Sequence, residues 1–349
     1  MSLTGLLGIR YPIIQAPMAG VGTAQLAAAV TDAGALGSIA VGASTAEQAN
    51  AAIAATRALT AGPFNVNLFT HRKAQPDPQR EARWLAHLAP HFERTGAAPP
   101  GSLREIYNTF LDDPAMLDVL VAARPAVVSF HFGLPTAAQI AALHGAGCVL
   151  MASATCVAEA IAVEAAGIDV VVAQGFEAGG HRGMFDDALP DPAIGTLALV
   201  RLVSRAVRIP VVAAGGIMDG AGIDAALRLG AGAAQMGTAF LACPESATSA
   251  HHRALLARPE LGTAVTAAIS GRPARGIVNR FFSEVGAAGH PAIPDYPIAY
   301  DAAKALHGAA AAQGIQDYAA AWAGQAYALA RPMPAAELVR TLVSELTAG

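Results

Sequence analysis

The sequence predicts a (β/α)8 barrel, and three observations carry the prediction. Short apolar runs rich in β-branched residues alternate with longer alanine-rich helical stretches through residue 240, and eight such pairs can be counted. The run Val170-Val-Val-Ala173 stops on Gln174-Gly175 and enters a glycine-rich loop ending at His181, which is how a parallel strand presents chemistry. Hydrophobic residues make up 54% of the 349 and charged residues 14%, ample apolar surface for a large core. A doubly wound open sheet fits the same alternation and is the alternative fold.

In chain order, the first strand is Ile13-Ile-Gln-Ala-Pro-Met18, followed by a helix over about Ala24 to Ala33 that Thr23 is placed to cap. Gly37-Ser-Ile-Ala40 is the second strand; Ser44-Thr45 then opens a helix, with Gln48 placed for a capping box. The third, Phe64-Asn-Val-Asn-Leu-Phe69, puts Asn65, Asn67 and Phe69 on one face. Burying an amide in mid-strand is costly unless it is bonded, so that face is a candidate for contact with a ligand. Thr70 to Gly101 is the most polar stretch and reads as a surface excursion around a helix near Gln79 to Phe92. A helix from Pro114 to Ala122 leads to the fourth strand, Val127-Val-Ser-Phe130, which ends on His131-Phe-Gly133. The fifth is Val149–Ala154, the sixth Val170–Ala173, the seventh Val211–Gly216 and the eighth Ala233–Thr238. Helical segments fall between them at Thr136–Ala146, Cys156–Ala166, Ile194–Ala206 and Gly220–Leu229. Past Leu241 the alternation stops. Alanine-rich helical pieces and proline-containing loops run to Ala302, and Ala303 to Leu346 reads as helix again with a break at Pro332 and Pro334.

The formal charge of −4 supplies no basic field for nucleic acid and no polybasic membrane patch. No apolar run is long enough for a membrane span, and the first ten residues lack the basic flank and apolar core of a signal peptide. Cys148, Cys156 and Cys243 are an odd number without metal-like spacing and read as free thiols in a reducing compartment. The expectation is a cytoplasmic protein, a monomer or small homo-oligomer, with no metal.

In a barrel of this kind a phosphate commonly rests on the loops after strands seven and eight. Here these are Ala214-Gly215-Gly216 and Gln235-Met236-Gly237-Thr238. Paired glycines expose backbone N–H groups, a following helix N-terminus adds favourable potential, and Thr238 adds a hydroxyl. Tight turns without a ligand are the plainer reading of either loop alone; both together favour phosphate. No Walker-type lysine motif and no GxGxxG fingerprint occurs. His251-His252 has no supporting carboxylate or cysteine and reads as surface; Asp186, Asp187 and Asp191 read as a solvated acidic loop.

Four stretches, Gln15-Ala-Pro-Met-Ala-Gly20, Gln174-Gly-x-Glu-Ala-Gly-Gly-His181, Ala213-Ala-Gly-Gly-Ile217 and Gln235-Met-Gly-Thr238, resemble the FMN-dependent nitronate monooxygenases, formerly called 2-nitropropane dioxygenases. Flavin-dependent enoyl-acyl-carrier-protein reductases and NADH:quinone reductases share them more or less, so they specify fold and FMN better than reaction. Three further stretches resemble the nitronate-oxidising branch: Ser129-Phe-His-Phe-Gly133, Arg275-Gly-x-x-Asn-Arg-Phe281 and Tyr296-Pro-x-x-Tyr300-Asp-x-x-Lys304-Ala-Leu306.

The resemblance implies a TIM-like FMN-binding barrel over 1–240, a small, mainly helical substrate domain over 241–307, and C-terminal helices over 308–349 packing back on the barrel. It places Pro17, Met18, Asn67, Gln174, Gly179, Gly180, Gly215, Gly216, Gln235, Met236, Gly237 and Thr238 around FMN. It makes His181 the catalytic residue, either a base removing the α-proton of a nitroalkane or, protonated, an orienter of a nitronate. His131, Tyr296, Tyr300 and Lys304 are the expected substrate pocket, with a histidine packed on backbone and a solvated lysine as the plainer readings of His131 and Lys304; Arg275, Asn279 and Arg280 are read instead as bracing the added domain. The implied reaction is oxidation of alkyl nitronates of the propionate-3-nitronate type, with O2, to a carbonyl product and nitrite through a flavosemiquinone, a nitroalkane detoxification. An NAD(P)H-dependent flavin reductase of quinones or enoyl thioesters is the alternative.

Overall fold

The computed structural model describes residues 2–347; Met1 and the last two residues of the expected 308–349 segment lie outside it. Eight parallel strands form one sheet in the order β1-β9-β8-β6-β5-β4-β3-β2. Their spans are β1 Ile13–Gln15, β2 Gly37–Ala40, β3 Phe64–Phe69, β4 Val127–His131, β5 Val149–Ala154, β6 Val170–Gln174, β8 Val211–Ala214 and β9 Ala233–Met236. The sheet closes on itself where Leu36 N donates to Ile13 O (3.0 Å) and Gln15 N to Leu36 O (2.9 Å). The result is the predicted (β/α)8 barrel rather than a doubly wound sheet.

Alternation along the strands sorts the core into two layers. Val170 and Val172 point into the barrel with Ile14, Met151, Val212 and Ala233, whereas Val171 and Ala173 face the surrounding helices. A short helix, Leu3–Leu7, went unrecognised in the sequence. Ser2 caps it, Gly8 ends it in a left-handed conformation, and Leu3 and Leu7 close the barrel interior at the strand N-termini. The sequence-read caps form: Thr23 Oγ1 accepts from Leu26 N, and Thr45 with Gln48 makes the capping box.

Outside the barrel the structure departs from the sequence reading in three places. Residues 241–307 carry a sheet as well as helices: β10 Thr263–Thr266 and β11 Ala274–Ile277 pair antiparallel, and β11 also pairs with a two-residue strand, β7 Gly180–His181. The polar excursion after Thr70 is anchored rather than peripheral. Its helix Pro78–Glu93 buries Trp84, Leu88 and Phe92 against Phe281, Val285, Leu306 and Tyr318. Each such side chain contributes about 1.5–3 kcal/mol of burial. Finally, Ala303–Leu346 is not continuous helix. One helix spans Ile298–Ala312, another Ala335–Thr347, and the stretch between them is mostly irregular because it is tied to barrel loops, with Gln325 N donating to Glu177 O and Gly324 N to Thr238 Oγ1. Among the described residues no helix is long and apolar enough to cross a membrane.

Candidate active site

The C-terminal ends of the strands open into a cavity of about 340 Å3, within the size range of small-molecule sites. Pro17 and Met18 after β1, Asn67 on β3, His131 at the end of β4, Ser153 on β5 and Gln174 on β6 line it. Gly179, Gly180 and His181 in the following loop, Gly215 and Gly216 after β8, and Gln235 to Thr238 after β9 complete the barrel side. Tyr296, Tyr300 and Trp322 come from beyond the barrel.

Asn67 Nδ2 donates to Ser129 Oγ (2.9 Å) and Ser129 O (3.2 Å), which leaves its Oδ1 for a ligand. Asn65, on the same strand face, bonds Ser38 and lies outside the cavity. Gln174 is largely spent on its own loop. Its Oε1 accepts from Gly183 N (2.8 Å) and Arg182 (3.2 Å), and its Nε2 donates to His181 O (2.9 Å). Arg182, 1% exposed, also reaches the Gln174 and Gly175 carbonyls and pairs with Asp191 at 2.7 Å.

Asp187 likewise pairs with buried Arg272 at 3.2 Å. These two members of the acidic loop are therefore counterions of buried arginines rather than a solvated cluster, because an unpaired buried guanidinium would be costly. No grouping of side chains suited to a metal occurs among the described residues.

The glycines divide into two kinds. Gly215 and Gly216 have φ of 120° and 71°, and Gly180 has φ of 74° with nothing within 4 Å of where a Cβ would sit. These three supply a left-handed backbone at the cavity wall. Gly179 is required for packing: a Cβ there would lie 2.5 Å from Ala323 and Gly324 backbone. The helix after β8, Gly220–Arg228, has its N-terminal amides taken by Asp219 and Glu345. The short turn Thr238–Leu241 has no side-chain cap, and Thr238 Oγ1, accepting from Gly324 N, keeps its proton to donate.

The two histidines differ sharply. His131 Nε2 meets the His181 carbonyl at 3.2 Å and must be the donor; its Nδ1, at 2.9 Å from Ser153 Oγ, then accepts the hydroxyl proton. Both nitrogens are committed within the protein. His181 Nε2 bonds Ser270 Oγ at 2.8 Å, and its Nδ1 is uncommitted. Burial pushes the His131 pKa down to about 4 and the His181 pKa down to about 3, the latter helped by His131 and Arg272, so both rings are neutral near pH 7.

Aromatic rings enclose His181: Phe132 at 5.6 Å, Tyr296 at 5.7 Å, Tyr300 at 6.2 Å and Trp322 at 5.3 Å between centroids. Phe132, 1% exposed, holds φ of 78°, an unusual conformation for a bulky side chain, and the Arg272 guanidinium lies 4.6 Å from its ring. Burial raises the Tyr296 hydroxyl well above its usual range, so it is protonated. Lys304 is exposed and outside the cavity lining; its Nζ lies 4.8 Å from the Tyr107 ring and 5.2 Å from that of Tyr300.

Tyr107, Phe132, Trp322, Ser270 and His252 were not identified as site residues from sequence. His252, read as surface, is 8% exposed and lines the cavity. Ser249 caps the helix Ala250–Leu256, and His252 shares its buried face with Leu256 four residues on. Phe132 was quoted within a motif and His252 within a pair taken for surface, but nothing in the sequence signalled Tyr107, Trp322 or Ser270. The Arg275 group braces the added layer as expected: Arg275 holds the Phe176 carbonyl, Asn279 the Ala319 carbonyl, and Arg280 pairs with Asp317.

A family model described as nitronate monooxygenase matches residues 1–345. The chain is 58% identical to a nitronate monooxygenase of Pseudomonas aeruginosa, with 98% of each chain covered. It is also 58% identical to one of Paraburkholderia phytofirmans, over 99% of this chain and 94% of the relative. Among solved structures, a nitroalkane oxidase from Streptomyces ansochromogenes superposes with a TM-score of 0.90 at 43% identity, covering 100% of this chain and 98% of that one. FabK from Thermotoga maritima gives 0.74 at 29% identity, covering 100% and 96%. The family model over residues 1–345 and two relatives at 58% identity over nearly the whole chain, on the same closed barrel, show that the chain belongs to the nitronate monooxygenases, a family of flavoenzymes that oxidise nitronates.

Proposed function

We propose that this chain binds FMN above the strand ends and oxidises alkyl nitronates of the propionate-3-nitronate type, with O2, to a carbonyl product and nitrite. The observation that carries the reading is a neutral histidine with one uncommitted nitrogen, His181 Nδ1, in an aromatic enclosure beside the glycine cradle. The residues present fit FMN. Left-handed Gly215 and Gly216, the uncapped turn at Thr238 and its free hydroxyl proton suit a phosphate, and Asn67 Oδ1 suits the ring edge. Pro17, Met18, Gly180, Gln235, Met236 and Gly237 would line the remainder, with Gly179 and Gln174 holding the loop. Bound FMN would supply the one-electron oxidation and pass the electron to O2.

The chain's own residues do the rest. His181 Nδ1 accepts the α-proton when the substrate arrives as a neutral nitroalkane. A nitronate already lacks that proton; its negative charge beside the imidazole instead raises the histidine pKa and favours an orienting imidazolium. Tyr296, protonated, and His131, held neutral, wall the pocket without adding charge. Lys304, beside Tyr107 and Tyr300, would attract a second negative group on the substrate, which supports a carboxylated nitronate. In this reading residues 1–240 hold the cofactor, 241–307 cover the substrate and 308–347 pack back on the barrel. The free thiols support a reducing, cytoplasmic setting, and the chain would act there as a monomer or small homo-oligomer.

The test is a visible spectrum of flavin-loaded protein mixed anaerobically with propionate-3-nitronate, and separately with NADH. A fast change with the nitronate and none of comparable rate with NADH is expected. Full bleaching by NADH and indifference to the nitronate would move the chain to the NAD(P)H-dependent reductases.

A further inference from the structure

We infer that Ser270 is a positioning residue that fixes the tautomer of His181, placing the ring proton on Nε2 and leaving Nδ1 as the nitrogen that faces the reaction. This deepens the proposed function and rests on His181 acting as the base.

The argument is one of donors and acceptors. Ser270 is fully buried and has a single hydroxyl proton. Its Oγ lies 3.1 Å from the Arg272 carbonyl, which can only accept, and 2.8 Å from His181 Nε2. If the hydroxyl proton goes to the carbonyl, Nε2 must bring its own proton to the serine lone pair, and every group is satisfied. If the hydroxyl instead donates to Nε2, the Arg272 carbonyl loses this donor in a buried setting. Arg272 N, 3.3 Å from the same oxygen, adds a second donor pointing at Ser270 and reinforces the first arrangement.

The surrounding backbone holds this geometry from both sides. The His181 main chain belongs to the barrel loop, where Gln174 and His131 both donate to its carbonyl. It also pairs with Ala274 of β11, and Arg182 N donates to Pro273 O at 2.8 Å. Ser270 reaches the site on a loop turned by Gly271, whose φ is 96° and whose missing Cβ makes room for the Pro294–Tyr296 backbone, 2.6 Å away at its nearest. The base therefore takes its position from the barrel and its tautomer from the added layer 89 residues further on.

The experiment uses flavin-loaded protein labelled with 15N-histidine, its His181 signals assigned by their loss in His181→Asn. Couplings between ring nitrogens and carbon-bound protons report which nitrogen carries the proton. The Nε2–H tautomer is expected in the unmodified protein, with Nδ1–H appearing in Ser270→Ala. In the same variant the ratio of nitroalkane to nitronate kcat/KM should fall by at least about tenfold, as expected when a general base is misassigned its proton. Ser270→Thr, which keeps the hydroxyl, should restore the ratio to within about threefold of the parent.

An Nδ1–H tautomer in the unmodified protein overturns the inference on its own, even where Ser270→Ala fails to fold. An unchanged substrate ratio in folded Ser270→Ala also overturns it. Failure of the base reading has a different signature: His181→Asn would then depress nitroalkane and nitronate turnover alike, whatever the tautomer.

Discussion

At the residue scale the site is decided by which polar atoms are already used. His131 and His181 both end up at the cavity, yet only His181 retains a nitrogen for a ligand. In the proposed role His181 is the base, and His181→Asn takes that nitrogen away while keeping a polar side chain. Its kcat/KM for a neutral nitroalkane should fall by about 10²–10⁴-fold, and for the corresponding nitronate by less than about tenfold, measured by oxygen uptake at matched flavin loading. Equal losses would assign His181 to holding the loop. The sequence made both visible, His131 because it closes the run Val127–Phe130 and His181 because it ends the glycine-rich loop that follows Gln174. It could not show that His131 is consumed by Ser153 and a main-chain carbonyl.

At the element scale, adjacent glycines do different jobs. The loop 175–183 is pressed against the irregular stretch after Ile298–Ala312, and Gly179 is the contact point, with Ala323 and Gly324 backbone 2.5 Å from its would-be Cβ. Gly145 closes a helix with nothing within 4 Å of that position. Gly179→Ala is expected to cost about 1–3 kcal/mol through overpacking, lowering Tm by several degrees, whereas Gly145→Ala should leave it unchanged or raise it slightly. Calorimetry of the two variants decides; equal Tm values would show that the loop yields freely. Gly-Gly in a strand-end loop was legible as a turn open to close backbone approach, and Gly180 has the left-handed φ and free space that such a turn needs. Its partner's packing role depends on a segment more than 140 residues away and leaves no local mark.

For the whole molecule, the burial of neutral histidines sets a pH response. His71 and His181 have pKa values pushed down to about 3, and His131 and His252 to about 4, in each case chiefly by burial. The unfolded chain binds these protons near pH 6.5, so this contribution to stability is complete above about pH 6.5 and is lost as pH falls toward the folded values. By pH 5 each histidine should have forfeited about 2 kcal/mol. Tm should then be lower at pH 5 than at pH 7 by at least roughly 5 °C. A flat profile over that range would mean that these rings gain solvent or a counter-charge in solution. His71 has no hydrogen-bond partner on either ring nitrogen, and Arg272 nearby disfavours its protonation further.

The sequence by itself determined the barrel and the glycine turns at its C-terminal rim. Strand alternation, capping residues and glycine turns are set by neighbours a few positions away, and so they are written locally at Val170–Gln174, Thr45 with Gln48, and Gly215-Gly216. Family motifs extended that reading to the reaction class. Only the tertiary structure decided which polar groups are satisfied and which remain free. Ser270 on His181, Arg272 on Asp187, Tyr107 beside Lys304 and Trp322 against the imidazole all join segments far apart in the chain. Their chemistry follows from burial and hydrogen-bond competition, which depend on the packed neighbours each group finally meets.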